Sequence, residues 1–577
     1  MTAPPARPRP QPRWVLPAPP DAAAIAALAA QLRLPEAICR LLVVRGHKDT
    51  EGAKRFLRPR LEQLHDPQRL LGLDRAAERL ARAVRSGEKI FVHGDYDVDG
   101  ICSTTLLTRA LRNFGGNVVP FIPRRLEDGY DLSAAGVRAA LAAGAAVVVT
   151  CDCGTSALGP IDELCRAGVD VIVSDHHLPG GPLPACLAVL NPKQPDCGYP
   201  DDDLAAVGVA FKLATAVARV LGRSDTPVYH MLDLVALATI ADIAPLRGEN
   251  RVFARYGLKL LQETTNPGLR ALIRASGLEG KALTAGRVGF ILAPRLNAAG
   301  RLGHALRGVE LLMTESESEA NRIARELEQL NKERQDLDRH TLAEAREMVD
   351  RLDLDSTYGI VLARQGWHAG VIGIVASRIV EETARPAVLI ALDGDEGKGS
   401  GRSISAFDLH AGLGACRDLL ERFGGHRAAA GVTIAADRVE AFAERFNDVA
   451  RQRLTADDLV PEMRVDLEVG IDGANGDLEA LLRHFEPFGM GNPSPVLVAR
   501  DVTLLGAPRV VGQDGLKLRL RTASGEMEAI GWGMAGRAAE LCDGYSVDVA
   551  FRLERDEWNG VSRLVARLAD FRVAPRR

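Results

Sequence analysis

The order of apolar and polar positions changes character several times along the chain. Between Lys89 and Ser174, short apolar runs alternate with stretches of helical periodicity. Lys89–His93 (KIFVH), Asn117–Pro123, Ala145–Cys151 (AAVVVTC) and Asp170–Ser174 (DVIVS) read as strands. Gly100–Arg112, Ser133–Ala142 and Ala157–Ala167 read as the helices between them. Such alternation argues for right-handed βαβ units on a parallel sheet. Helices are expected to continue over Leu204–Leu221 and His230–Ala241. Upstream, residues 21–60 carry short helical patterns, with Pro35 opening one and Gly46 closing another.

Residues 315–351 contain neither Pro nor Gly and space their apolar side chains at helical intervals in a charged background. A helix of about 36 residues would be about 54 Å long. That length suits a rigid connector between two lobes better than a helix lying on one domain. Residues 356–450 return to mixed α/β, with GIVLA, PAVLIAL and a glycine-rich run. From about Leu459 the chain reads VARDVTLLG, LKLRLRT, MEAIGWG, SVDVAFRLE and SRLVARLADF, short alternating strands that suggest a small all-β barrel. The expected order is a flexible N-terminus with short helices (1–45), a parallel-sheet α/β domain (46–310), a connector helix (311–353), a smaller α/β domain (354–455) and a C-terminal barrel (456–577).

Composition narrows the function classes. The chain has 577 residues, 26% of them charged, with a net charge of -4. This excludes a uniformly basic protein that coats nucleic acid, but not a local basic groove. Aromatic residues make up only 5%, so any base-stacking ring has to be identified individually. The nine cysteines are scattered without C-x-x-C spacing, which argues against a zinc ribbon or a thioredoxin-type site and for a reducing cytoplasm. The longest apolar run, Ala139 to Thr150, is too short to span a bilayer, and Thr2–Pro20 lacks the apolar stretch of a signal peptide. The expectation is a cytoplasmic protein with no membrane association.

The candidate chemistry lies at strand ends. The first strand runs into His93, Asp95, Asp97 and Asp99, the third into Asp152, and the fourth into Asp175, His176 and His177. In a doubly wound sheet these ends share one rim, where ligands bind. So many acids repel one another unless they are protonated or bound to cations. Mixed Asp and His donors suit Mn²⁺ or Mg²⁺. A calcium loop is the competing reading of D-x-D-x-D-G, but its twelfth position here is Leu106 and the preceding segment is a strand. Asp152 also reads as a helix cap, and Cys151 and Cys153 as small packing residues. Asp242 ends an apolar helix and is a further candidate, with Asp233 the competing acid of that segment.

HGDYDVDG, CDCGTSA, SDHH and ATIADIAPL resemble the successive motifs of the DHH phosphoesterase superfamily. GSGRSI (399–404) and FGGHRAAAG (423–431) resemble its DHHA1 domain, and the C-terminal barrel resembles an OB-fold. From about residue 36 onward the chain is similar to the single-stranded-DNA exonuclease family of that superfamily. The resemblance implies 5′→3′ hydrolysis of single-stranded DNA to mononucleotides, in DNA recombination and repair, with two divalent ions, Mn²⁺ or Mg²⁺. Carried over by motif, one ion is held by His93, Asp97 and Asp152, the other by Asp99, Asp152, His176 and Asp242. Asp97, Asp152 and His177 are then the catalytic residues, His177 facing the scissile phosphate, while Asp95 and Asp175 orient ligands. Phosphate contacts are expected from Arg125, Arg295, Asn297 and Arg301, and from Ser400, Arg402 and His426 at the 5′ end. Lys517 and Arg519 on one strand face, with Trp532 or Trp558 as platform, would hold the strand. The resemblance further implies a monomer that works with single-strand-binding protein and a RecQ-type helicase. The alternatives are a DHH hydrolase of short oligonucleotides or cyclic dinucleotides, and an inactive DNA-binding scaffold.

Overall fold

The computed structural model describes residues 10–124, 128, 129, 131–558 and 561–573. It divides into two compact units, one of residues 57–334 and 486–493, the other of the described residues among 1–56, 335–485 and 494–577.

The first unit is built on a five-stranded sheet, β1 (Lys89–Gly94), β2 (Asn117–Phe121), β3 (Val147–Cys151), β4 (Asp170–Ser174) and β5 (Ala188–Leu190), in the order 2-1-3-4-5. Every pairing is parallel. Alternate residues of these strands enter opposite cores, as expected of a sheet covered on both faces. Ile90, Val92, Val147, Val149 and Ile172 pack with α1 (Val98–Asn113), α4 (Ala206–Val220) and α5 (Leu232–Ala241). Phe91, Val148, Val171 and Val173 pack against Val137 of α2 (Ala134–Ala142) and Ile161 and Leu164 of α3 (Leu158–Arg166). The strand order reverses between β1 and β3, so the crevice beyond their carboxyl ends is the ligand position of such a sheet.

Helix α6 (Ala293–Leu302) follows, preceded by one π-helical turn at Val288–Leu292. The expected connector is a single helix, α7 (Glu317–Val349), of 33 residues. The boundary between the two units falls inside it, after Arg334.

The second unit contains two larger sheets of its own. In one, β6 (Ile360–Gln365) pairs in parallel with β7 (Ala387–Asp393), and β8 (Glu396–Arg402), β10 (Ala429–Ala435) and β9 (Arg422–Gly425) extend it antiparallel. Helix α8 (Ile372–Thr383) follows β6. In the other, β11 (Leu497–Thr503), β14 (Ser546–Trp558), β15 (Val561–Val573), β13 (Gly525–Gly531) and β12 (Gly515–Thr522) are neighbours in that order. A bridge from Leu504 to Leu520 closes them into the expected barrel.

Residues 13–15, read above as part of a flexible lead-in, form a short strand paired in parallel with Glu462–Arg464. The Trp14 indole also donates to Asp570 at 2.6 Å. No helix among the described residues is long and apolar enough to cross a membrane.

Candidate metal centre

The turn from β1 into α1 presents three acids. Asp97 is the helix N-cap, its carboxylate accepting from the Asp99 and Gly100 amides at 2.9 and 3.1 Å. Asp99 is buried and accepts from the Ala206 and Val207 amides, the first two of α4, at 2.7 and 2.8 Å. A helix N-terminus favours a carboxylate. Burial and the neighbouring Asp97 charge nonetheless win, and push the Asp99 pKa up to about 7.

Asp152 follows β3 with a left-handed backbone, φ 66°, which Asp tolerates better than most residues. It is buried, and burial together with Asp97, Asp99, Asp242 and Asp95 raises its pKa far above the carboxylate range. Its Oδ1 lies 3.2 Å from His176 Nε2, yet neither atom makes a hydrogen bond. His176 Nδ1 is 3.1 Å from the Leu204 carbonyl. A carbonyl only accepts, so the proton sits on Nδ1 and Nε2 keeps its lone pair. Burial lowers the His176 pKa to about 3. Asp242, the C-cap of α5, approaches the same Nε2 at 3.7 Å. Burial, Asp99 and Asp97 raise its pKa to about 9.

Asp175 organises the β4 end. It accepts from the His176, His177 and Thr155 amides at 2.7, 3.2 and 3.0 Å, and from His177 Nδ1 at 2.7 Å. Burial alone would lower the His177 pKa, but the hydrogen bond and charge of Asp175 prevail and raise it to about 9. His93 is buried beside Cys153, whose Sγ lies 3.6 Å from Nδ1, and burial lowers its pKa to about 4. Its Nε2 makes no hydrogen bond, and a Cβ at Gly136 would come within 2.6 Å of it.

These residues fit divalent cations. Ligand atoms of Asp99, His176 and Asp242 lie within 4.8 Å of one another, as do those of Asp152, His176 and His177, and those of Asp95, Asp97 and Asp152. Three buried donor atoms, His93 Nε2, Asp152 Oδ1 and His176 Nε2, lack hydrogen bonds. Like charges and orphaned lone pairs at such spacing are stabilised by a cation at their centre. The grouping of Asp99, His176 and Asp242 contains three of the four residues expected for one ion, and Asp152 falls in the other two groupings. In the other, Asp95 joins Asp97 and Asp152 in the place where His93 was expected.

The residues expected to contact phosphate are spread over both units. Asn297, on α6, accepts from the Val98 amide at 3.1 Å and so holds the acidic turn. Arg295 is buried and pairs with Glu328 at 2.5 Å, while Arg301 is half-buried on the same helix. Arg125 lies outside the described residues, as does the side chain of Trp558. Ser400 and Arg402 are adjacent at the end of β8, with Nη1 3.1 Å from Oγ. A Cβ at Gly373, in the first turn of α8, would meet both side chains. His426 is exposed in the β9–β10 turn. Lys517 and Arg519 share a face but pair with Glu528 and Glu526 at 2.7 and 3.2 Å, so the basic row is largely neutralised. Trp532 is 56% exposed.

Two supporting residues escaped the sequence reading. Asp131 accepts from the Gly154 amide at 2.7 Å and clamps the Asp152 turn. Asn191 donates to the His177 carbonyl at 2.8 Å and to Thr155 Oγ1 at 3.1 Å. Asn191 directly follows β5, so extending the strand-end argument by one strand would have found it. Asp131 carries no comparable signal.

A doubly wound sheet whose reversal point gathers carboxylates and imidazoles for divalent ions is the architecture of the DHH class. Residues 89–239 match the DHH family N-terminal domain, 356–452 the DHHA1 domain and 465–570 the RecJ OB domain. The chain is 38% identical, over 550 residues, to the single-stranded-DNA-specific exonuclease RecJ of Bacillus subtilis, an alignment covering 95% of this chain and 69% of that protein. It superposes on the crystal structure of RecJ from Thermus thermophilus in complex with Mn²⁺ with a TM-score of 0.84 and 34% identity, covering 98% of this chain and 80% of that one. For the Mg²⁺ complex of the same protein the values are 0.79, 32%, 98% and 79%. The chain belongs to the RecJ family.

Proposed function

We propose that the protein is a divalent-metal-dependent exonuclease that hydrolyses single-stranded DNA to 5′ mononucleotides, starting from the 5′ end. The observation that carries the reading is the pair Asp152 Oδ1 and His176 Nε2. They are buried 3.2 Å apart without a hydrogen bond and flanked by Asp99, Asp97 and Asp242. The likeness to proteins named as single-stranded-DNA-specific exonucleases supports the substrate class.

In this reading Asp97 and Asp152 would hold one ion, with His93 contributing its unbonded Nε2 and Asp95 close by, and Asp99, Asp152, His176 and Asp242 would hold a second. Bound divalent ions would supply Lewis acidity at the phosphate and make water a nucleophile near neutral pH. The chain's own residues prepare that chemistry. Asp175 and Leu204 fix the two imidazoles, so that His176 offers an unprotonated nitrogen while His177 is cationic at neutral pH. A cationic His177 can donate from Nε2 to a phosphate oxygen or to the leaving oxygen, where a charge-assisted bond counts most. No covalent nucleophile is required. Arg402 and Ser400, supported by His426, are the proposed contacts for a terminal phosphate. Trp532 is the proposed platform on the barrel. The family resemblance also suggests single-strand-binding protein and a RecQ-type helicase as partners, and the nine free cysteines suit a reducing cytoplasm.

The test is a product ladder from single-stranded DNA labelled at either end, with Mn²⁺ or Mg²⁺. Mononucleotides are expected at once from the 5′ label, while the 3′-labelled strand shortens progressively. Internal cuts, or release from the 3′ end first, would overturn the polarity. No cleavage at all would overturn the activity.

A further inference from the structure

Two apolar side chains on segments that adjoin ligand-bearing elements are exposed in a way their residue types rarely are. Phe290 is 87% exposed and Ile243 is 63% exposed. Both sit on local backbone irregularities. Ile243 directly follows Asp242 and has a left-handed backbone, φ 59°, an outlier for a β-branched residue. Phe290 is at the middle of the π-helical turn Val288–Leu292, where Val288 and Leu292 are fully buried and Ile291 is partly buried. The turn therefore packs on the core and leaves its phenyl ring outward. Strained residues and π-turns persist where surrounding structure holds them, and they concentrate at functional sites.

Both irregularities adjoin ligand-bearing segments. The π-turn packs on α5, the helix that Asp242 caps, and a Cβ at Gly289 would lie 3.5 Å from Ile240. It runs straight into α6, whose Asn297 holds the Val98 amide and whose Gly300 lies so close to the Tyr96 carbonyl that a Cβ would sit 2.4 Å from it. The π-turn that carries the ring is thus tied on one side to the Asp242 segment and, through α6, on the other to the turn bearing Asp97 and Asp99.

We propose that Phe290 and Ile243 form a stacking and packing platform for the nucleobase next to the phosphodiester being cut. The inference rests on the nuclease reading above and adds a base subsite to it. Next to a cation-bound phosphate, the remaining part of a nucleotide that can cover an exposed phenyl and an aliphatic side chain is the flat face of its base. A ring accepts any base in this way, which suits degradation without sequence preference. Phe290 is a positioning residue: it sets where the phosphate falls and takes no part in bond cleavage.

The test compares wild type, Phe290→Ala and Phe290→Trp on a short single-stranded oligonucleotide and on the same strand with abasic residues at its terminal nucleotides. Steady-state cleavage is read with Mn²⁺, and stacking is read as quenching of 2-aminopurine placed at those nucleotides. Phe290→Ala is expected to raise KM for the normal strand roughly tenfold and to reduce the quenching, in line with the loss of one aromatic–base stack. Phe290→Trp should restore both, and abasic strands should not distinguish the three proteins. Equal effects of Phe290→Ala on normal and abasic strands, or no effect on either, would overturn the platform while leaving the nuclease reading intact. A wild-type protein that fails to cleave the normal strand would overturn both.

Discussion

Individual side chains decide whether this centre is a metal site or only a costly cluster of acids. Asp152→Asn keeps the volume and tolerates the left-handed backbone, but removes the charge shared by two of the three donor groupings. Cleavage should fall by at least about 10²-fold, the range for losing one preorganised charge-stabilising group. The metal-free variant should nonetheless melt higher than metal-free wild type, by roughly 2–4 °C, because a buried repulsion has been relieved. A lower melting temperature would mean that Asp152 is held by something other than a cation. The raised acids also set a pH dependence. Asp99 at about 7 and Asp242 at about 9 keep protons in the fold that the unfolded chain loses near pH 4. The metal-free fold is therefore weakened as pH rises from about 4 through those values. Cations bind the ionised forms, so Mn²⁺ should raise the melting temperature more at about pH 8 than at about pH 5.5. An equal rise at both, measured by calorimetry, would remove these two carboxylates from the site. Much of this chemistry was legible because the acids and imidazoles follow short apolar runs that read as strands, with Asp242 instead ending an apolar helix. Asp131 and Phe290 were not. Asp131 stands in a loop without periodicity, and a Phe within GRVGFIL reads as an ordinary core residue until the π-turn turns it outward.

Helices and strands transmit these constraints. α6 presses on the acidic turn through Asn297 and Gly300. Gly300→Ala should push the Tyr96 backbone and lower kcat by about 10–100-fold, the usual effect of displacing a ligand's support. Asn297→Ala should do the same with a smaller loss of stability. Unchanged kcat in both variants, with normal circular dichroism, would show that α6 does not position the site. Phosphate contacts were the expectation for this motif. The structure finds a helix whose Arg295 faces Glu328 and whose Asn297 faces the metal turn, partners 33 and 199 residues away that no local pattern could disclose. By contrast, the strands β1 to β4 and the 33-residue helix α7 were readable within a few residues, because period, Gly and Pro mark their ends locally.

Across the full chain, every proposed metal ligand belongs to the unit formed by residues 57–334 and 486–493. Hydrogen exchange with and without Mn²⁺ should therefore show added protection at the ends of β1, β3, β4 and α5. Residues 356–452 and 465–570 should be little changed. Protection spread evenly over both units would place ions elsewhere as well. Long-range pairing is also where sequence reading stopped: the strand at Arg13–Val15 finds its partner 449 residues later, at Glu462–Arg464. The barrel's closure by Leu504 and Leu520 is equally invisible to local alternation. Where divalent cations bind decides whether these side chains form a catalytic centre. Anomalous diffraction from crystals of this protein grown with Mn²⁺ should show density enclosed by Asp97, Asp99, Asp152, His176 and Asp242. Manganese density elsewhere, with none among these five side chains, would contradict it.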